Sequence, residues 1–351
     1  MRMWIPLLEE SGVPFIVLTR LTRLFDYVAQ NFPNAPLAFA TSPEHVETLI
    51  NSEPELRAVL YPSNTGNNIH LLRFNHLEHV FIGHGDSDKS ASAHKFFRAY
   101  DEIWVSGDAH IDRFKNACFD ERHLSFVKVG RPTLFQTVVK SDVDPWRTRF
   151  SKPSTLYLPT WEGTYNEQSY TSLPVAAEIL ASVAKATSGT VALKLHPQTG
   201  AKIPALKTAA QDIVRELSER QIEATTIDPA TPVEDVIGTA NIFVCDVSAV
   251  VTDCLAADAP IFVYRPKSDT LKLSESNMKM DHFAYIFSDA AELERGIASL
   301  LQEGDSLAEK RMEARQYFMG HREILDRRLF IELARIASWS NSEAGKTFSE
   351  P

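Results

Sequence analysis

The feature that most constrains the fold is a repeated alternation of short apolar runs with segments of helical periodicity. Apolar runs bounded by Gly, Pro or Asn predict buried strands, and helical segments between them predict the crossovers of a parallel sheet. The first half of the chain has six such runs, at 15–18, 37–40, 58–61, 79–82, 102–105 and 126–129. The second half has five, at 155–158, 191–195, 225–227, 241–244 and 260–264.

The segments between these runs predict the helices. They are expected at 21–31, 43–51, 91–99, 108–116, 172–187, 203–219, 232–238 and 249–257, with charged amphipathic helices over 305–340. The polar stretch from Ser141 to Pro153 contains two prolines and predicts a crossover between domains. Since 351 residues suit two ordinary domains, we expect an α/β fold with two Rossmann-like domains that face each other across a cleft. The predicted parts are domains over 1–145 and 146–318, a helix at 319–340 that packs back across the hinge, and a polar tail at 341–351.

Charge and cysteine content exclude several classes of protein. A net charge of −10 and the lack of a Lys/Arg run argue against a nucleic-acid binder, although helix N-termini can still bind a small anion. Three cysteines without a CxxC pair support neither a disulfide framework nor a cysteine zinc site. No window reaches the roughly 18 apolar residues of a membrane span. We therefore expect a cytoplasmic protein that is neither secreted nor membrane-spanning.

Two histidines follow predicted strands, where ligands of open parallel sheets bind. His84 lies between Gly83 and Gly85, which allow close approach of a ligand, and an imidazole there suits a general base at neutral pH. The alternative is a polar turn whose histidine bonds only to backbone. His196 ends the run at 191–195, and Pro197 stops the strand there. His196 alone is weak evidence for a functional site. A second histidine, His84, on the other predicted domain strengthens that interpretation.

A third segment follows the run at 241–244. Asp246 or Ser248 is predicted to cap the next helix, which would leave the Ser248 hydroxyl and the amides of Ala249 and Val250 as a small anion site. Plain capping without a ligand is the alternative, and it is favoured when this segment is judged alone.

Three residues at other strand ends are weaker candidates. Thr160 is placed to donate to a phosphate and Trp161 to stack on a base, or both pack at a hinge. Arg131 follows the last strand of the first half, where it would hold a phosphate through two hydrogen bonds or form a surface salt bridge. The chain has no GxGxxG, P-loop or GxSxG motif, which disfavours a classical dehydrogenase, a P-loop NTPase and an α/β-hydrolase.

In their order along the chain, these motifs resemble the CDP-glycerol glycerophosphotransferase family, the teichoic-acid and capsule polymerases with a GT-B fold. The likeness covers about residues 75–335. It is carried by His84-Gly85-Asp86-Ser87-Asp88-Lys89, Tyr100-Asp101-Glu102-Ile103-Trp104-Val105-Ser106, Gly130-Arg131-Pro132-Thr133, Pro159-Thr160-Trp161, His196-Pro197, and Asp246-Val247-Ser248-Ala249 with Asp253.

The resemblance implies a reaction and roles for the residues. His84 would be the base for an acceptor hydroxyl, which attacks the phosphorus attached to glycerol so that CMP leaves. His196 and Ser248 would contact the diphosphate of CDP-glycerol. The other predicted donor-binding residues are Asp246, Ala249, Val250, Thr160, Arg131 and Lys89, with Trp161 stacking or packing. The first domain would hold a polyol or sugar-phosphate acceptor and the second the CDP-activated donor, and we expect neither a metal nor a cofactor.

The chain departs from the family pattern at three positions. Ala249 replaces the second serine of the serine pair, Glu162 stands where an arginine is usual, and the hinge arginine is displaced to Arg131. A GT-B glycosyltransferase or a 2-epimerase acting on a nucleotide sugar therefore remains an alternative, although an epimerase would need carboxylates and only Asp86, Asp88 and Glu162 are available. A nucleotide-binding protein without turnover is a further alternative. No basic amphipathic membrane segment is found, and peripheral association with the inner membrane face is left open.

Overall fold

The computed structural model describes residues 1–83, 95–117, 122–143, 153–163, 171–267 and 277–338. These residues form two compact units. Unit 1 contains 1–83, 95–117, 122–133 and 319–338, and unit 2 contains 134–143, 153–163, 171–267 and 277–318. The chain therefore leaves unit 1, completes unit 2 and returns to unit 1. The domain limits drawn from the sequence differ from these units and stay predictions.

Unit 1 has parallel strands in two sheets. β1 pairs with β2 in one sheet, and the other has the order β3-β4-β5-β6. The strands are β1 Val17–Thr19, β2 Leu37–Phe39, β3 Ala58–Tyr61, β4 Glu78–Phe81, β5 Glu102–Val105 and β6 Phe126–Lys128. The helices are α1 Ile5–Ser11, α2 Thr22–Asn31, α3 Pro43–Ser52, α4 Ile69–Leu72 and α5 Asp108–Asn116. The last helix of the chain, α13 Arg322–Ala337, also belongs to unit 1.

The core of unit 1 joins segments from both ends of the chain. Trp4 before α1 and Leu329, Leu333 and Ile336 on α13 are buried in one cluster with Trp104 of β5. Because each of these side chains is at least nine-tenths buried, α13 is an integral part of this unit.

Unit 2 is a single parallel sheet of six strands in the order β12-β11-β10-β7-β8-β9. Its strands are β7 Ser154–Leu158, β8 Thr190–Leu193, β9 Ala224–Thr226, β10 Ile242–Asp246, β11 Ile261–Tyr264 and β12 Tyr285–Phe287. Its helices are α6 Phe135–Val143, α7 Ala176–Thr187, α8 Ala209–Glu219, α9 Glu234–Ile237, α10 Val250–Cys254, α11 Ala290–Glu303 and α12 Ala308–Met319. This is the strand order of a doubly wound Rossmann fold.

The predicted fold class, α/β with parallel sheets, is confirmed. All eleven predicted strands are present, with ends that differ by up to two residues, whereas β12 was not predicted. Two local predictions were wrong. Residues 95–99 form a 3-10 turn where an α-helix was expected, and α6 continues to Val143, into the predicted polar crossover. Among the described residues, no helix has both the length and the apolar character needed to cross a membrane.

Candidate functional site

The strand order of unit 2 identifies where a ligand is expected. From β7 the chain runs outward through β8 and β9, then returns to the other side of β7 for β10, β11 and β12. In such sheets, ligands bind beyond the carboxyl ends of the strands at the point where the order reverses. That point lies between β7 and β10, so the segments after Leu158 and Asp246 are the candidate site.

Asp246 connects the ends of these two strands. Its side chain is completely buried, and Oδ2 accepts hydrogen bonds from the backbone N–H groups of Thr160 at 2.8 Å and Ser172 at 3.1 Å. The other oxygen, Oδ1, is buried and has no hydrogen-bond partner within the described ranges. The carboxyl group therefore holds the backbone at Thr160 and Ser172, and Oδ1 remains an acceptor without a partner among the described residues.

The Asp246 carboxyl titrates near neutral pH. Burial raises its pKa to about 7, although the hydrogen bonds from Ser172 and Thr160 act in the opposite direction. Next to it, the Tyr157 hydroxyl and Ser172 Oγ are 2.6 Å apart. Burial, followed by the Asp246 charge, raises the pKa of Tyr157 well above its usual range. The Asp246 carboxyl is therefore readily protonated near pH 7, and its protonated form offers an O–H donor.

Trp161 and His196 lie together at the ends of neighbouring strands β7 and β8. Their rings stack with centroids 6.2 Å apart and planes inclined by 20°. His196 is half-buried, and its Nδ1 accepts a hydrogen bond from the backbone N–H of Gln198 at 3.1 Å. Because Nδ1 is an acceptor, the neutral ring carries its proton on Nε2. Two of the predicted site residues thus form one aromatic pair, in which the tautomer of the histidine is set by the loop.

Glu162 organises the loop that begins at His196. The residue is 1% exposed, and its carboxylate accepts from the backbone N–H groups of Gly200 at 3.0 and 3.1 Å and Ile203 at 2.9 Å. Burial alone would raise its pKa, but the backbone donors of Ile203 and Gly200 outweigh this and lower it. Sequence reasoning treated Glu162 as a lost phosphate contact and missed this role. The only local signal was Gly200, whose φ of +80° favours glycine.

The predicted helix cap after β10 was wrong. Within the described chain, Ala249 is at the N-cap of α10 and no side chain caps that helix. The Asp246 carboxylate is occupied by the segment after β7, and Ser248 Oγ donates to the Asp246 carbonyl oxygen at 3.3 Å instead. Contacts of Ser248, Ala249 and Val250 with a donor stay predictions. No three His, Cys, Asp or Glu side chains within the described ranges are grouped to hold a metal ion.

In unit 1, the structure describes the residues next to the predicted base. His84 and Lys89 lie outside the described residues. Gly83, which precedes His84, has a φ of +62°, and its carbonyl oxygen accepts from Trp4 Nε1 at 2.7 Å. The chain therefore enters the His84 segment from a fixed position. Arg131 is half-buried and follows β6, and its predicted phosphate contact is not tested.

The sequence profile of CDP-glycerol:poly(glycerophosphate) glycerophosphotransferases matches residues 82–323. This span is more than half of the chain, and it contains both predicted histidines. The chain belongs to this family. The resemblance inferred from the order of the motifs is thereby confirmed, and the chain is a glycerophosphotransferase-type enzyme. No curated protein sequence matches it.

Several solved structures share the fold of this glycerophosphotransferase family member. The wall teichoic acid polymerase TagF is 15% identical, with a TM-score of 0.57 over 96% of this chain and 90% of that chain. A glycosyltransferase from Rickettsia africae is 12% identical, with a TM-score of 0.56 over 97% and 94% of the two chains. HepE from Anabaena, in complex with UDP-glucose, is 10% identical, with a TM-score of 0.53 over 95% of each chain. The fold is therefore of the GT-B type.

Proposed function

We propose that the protein transfers a glycerophosphate-type group from a CDP-activated donor to an acceptor hydroxyl. The donor is CDP-glycerol or a close relative, and the product belongs to a cell-surface polymer of the teichoic acid or capsule type. The observation that carries the proposal is the family match over residues 82–323, which spans the aromatic pair of Trp161 and His196 at the ends of β7 and β8. A TagF crystal soaked with CDPG has the same fold, with a TM-score of 0.56.

The proposed reaction is an in-line displacement at phosphorus. The acceptor oxygen forms a bond to the phosphorus that carries glycerol, and the bond between that phosphorus and the bridging oxygen of CMP breaks. The acceptor proton passes to His84, and CMP leaves with the electron pair of the broken bond. Such a reaction depends on positioning and charge stabilisation more than on covalent catalysis, and we propose that it proceeds without a metal ion.

His196 is proposed to stabilise the leaving phosphate. The hydrogen bond from Gln198 N–H to Nδ1 supports this role, because it makes Nε2 the hydrogen-bond donor of the neutral ring. Glu162 supports it indirectly by holding the loop that contains His196. Trp161, stacked on His196, limits the rotation of the imidazole and is proposed to pack against the cytosine base.

A donor panel tests this proposal. Purified protein is titrated with CMP, CDP-glycerol, CDP-ribitol, UDP and UDP-glucose while its thermal transition is measured. We expect the cytidine compounds to raise the transition temperature. Stabilisation by UDP and UDP-glucose but not by CMP would contradict the cytidine donor and favour the nucleotide-sugar alternative, for which HepE with UDP-glucose is a precedent in fold.

Turnover is then measured as CMP release from CDP-glycerol with a polyol phosphate or glycerophosphate-primed acceptor. His84→Ala and His196→Ala are expected to lower kcat by about 100-fold or more, as is usual for loss of a general base or of a transition-state hydrogen bond. His282→Ala is the control, since His282 is half-buried on unit 2, away from the candidate site residues in sequence, and its ring contacts Glu313 at 3.3 Å. Binding of CDP-glycerol without CMP release by the wild type would identify a binding protein instead.

A further inference from the structure

Arg265 lies at the same edge of the sheet as the candidate site. It is the first residue after β11, and its backbone N–H donates to Phe287 O at 2.8 Å, which extends the pairing with β12 by one residue. Tyr264 is the register partner of Asp246 on β10. Arg265 therefore lies one position beyond Tyr264, at the carboxyl end of β11, which is the strand next to β10.

The guanidinium of Arg265 has no partner within the described part of the chain. The residue is half-buried, and its Nε has no exposed surface and no hydrogen-bond acceptor. Two other arginines of unit 2 have acidic partners: Arg311, whose Nε also lacks an acceptor, contacts Asp305, and Arg315 contacts Asp142 at 2.8 Å. A guanidinium stays charged at all physiological pH values, and a desolvated N–H without an acceptor costs free energy. The arrangement suits an anion that comes from outside the chain.

The charge at this edge favours a nearby cation if the ligand is phosphorylated. Glu162, whose pKa is lowered, places an ionised carboxylate there, and the whole chain carries a net charge of −10. Repulsion from this negative charge opposes binding of a nucleotide phosphate unless a nearby positive charge offsets it. Arginine is well suited, because its planar fork of N–H donors matches two phosphate oxygens at once.

We propose that Arg265 binds a phosphate group of the nucleotide-activated donor. The inference rests on the proposed function for the nature of the ligand. It adds a residue that follows β11 to the candidates of unit 2, which follow β7, β8 and β10. Sequence reasoning did not identify Arg265, because it is a single arginine before Pro266 and belongs to no motif.

Calorimetric titration with CDP, and with cytidine as a probe that lacks phosphate, tests the proposal. Arg265→Gln is expected to weaken CDP binding by about 30-fold, which is the usual loss for one charge-assisted hydrogen-bonded contact. Cytidine should bind wild type and variant equally. Arg265→Lys keeps the charge but loses the fork and should weaken CDP binding by about fivefold. Lys267→Gln is the matched control, since Lys267 is 73% exposed and contacts Asp289 and Glu292.

Each outcome decides between the two proposals. CDP affinity within twofold of wild type in a correctly folded Arg265→Gln variant would overturn the role of Arg265 while leaving the proposed reaction intact. Wild type that binds UDP but not CDP would contradict the cytidine donor, and the same variants titrated with UDP would then decide the role of Arg265. Wild type that binds neither nucleotide overturns both. If Arg265→Gln does not fold, unchanged CDP affinity in Arg265→Lys counts against the proposal.

Discussion

Replacing Asp246 by Asn removes the ionisation of a buried carboxyl while keeping its contacts. One amide oxygen can still accept from the N–H groups of Thr160 and Ser172, as Oδ2 does now. Burial raises the pKa of Asp246 from an ordinary 3.8 to about 7, which corresponds to about 4 kcal/mol of unfolding free energy at about 1.36 kcal/mol per pH unit. Because the folded pKa is the higher one, this contribution is present below pH 3.8 and is lost as the pH rises to 7.

The expected result is a pH-dependent difference between variant and wild type. Urea unfolding, followed by circular dichroism, is measured at intervals from pH 4 to pH 8. The unfolding free energy of Asp246→Asn minus that of the wild type should increase by about 4 kcal/mol over this range. Asp228→Asn is the control, because Asp228 is exposed and accepts from the backbone N–H of Ala230 in a turn. A difference that stays constant across this range to within about 1 kcal/mol would refute the assignment of a neutral buried Asp246.

Three further changes test other parts of the structure. Glu162→Ala should lower the unfolding free energy by about 2 kcal/mol and raise the KM for the donor, because the N–H groups of Gly200 and Ile203 lose their acceptor. Urea unfolding measures the first effect, and CMP-release kinetics measure the second. Gly200→Ala should cost about 2 kcal/mol in the same unfolding assay, since its Cβ would lie 2.5 Å from Lys207 Cγ at a φ of +80°. Burial, followed by the charge of a neighbouring glutamate, raises the pKa of Glu78 to about 7. Glu78→Gln should therefore stabilise the protein by up to about 3 kcal/mol at pH 8 and by little at pH 4, as urea unfolding at the two pH values will show.

The sequence was sufficient for eleven of the twelve described strands and for the family. Fully buried strands such as β10, whose five residues are all buried, appear in the sequence as continuous apolar runs. The motifs around His196 and Asp246 are short but follow one another in a recognisable order, and that order identified the family that the profile match confirms. The pairing of His84 with His196 across a cleft stays a prediction.

The sequence was insufficient where a side chain serves a segment that is distant in the chain. Asp246 and Thr160 are separated by 86 positions, and Glu162 and Gly200 by 38. Local rules assign an aspartate before a short helix to the helix cap, since they see only neighbouring residues. The strand order brings β7 beside β10, and the carboxylate then satisfies the backbone of the adjacent loop instead.

The return of the chain to unit 1 has a consequence for the order of folding during synthesis. The ribosome makes α13 only after all of unit 2 has been translated, yet Leu329, Leu333 and Ile336 of α13 share a core with Trp4 and Trp104. Until α13 emerges, the nascent first unit carries an uncovered apolar surface. The described residues of unit 2 follow one another in the chain without an excursion into unit 1, so unit 2 has no such delay. Unit 2 can therefore fold while the apolar surface that α13 covers is still exposed on unit 1.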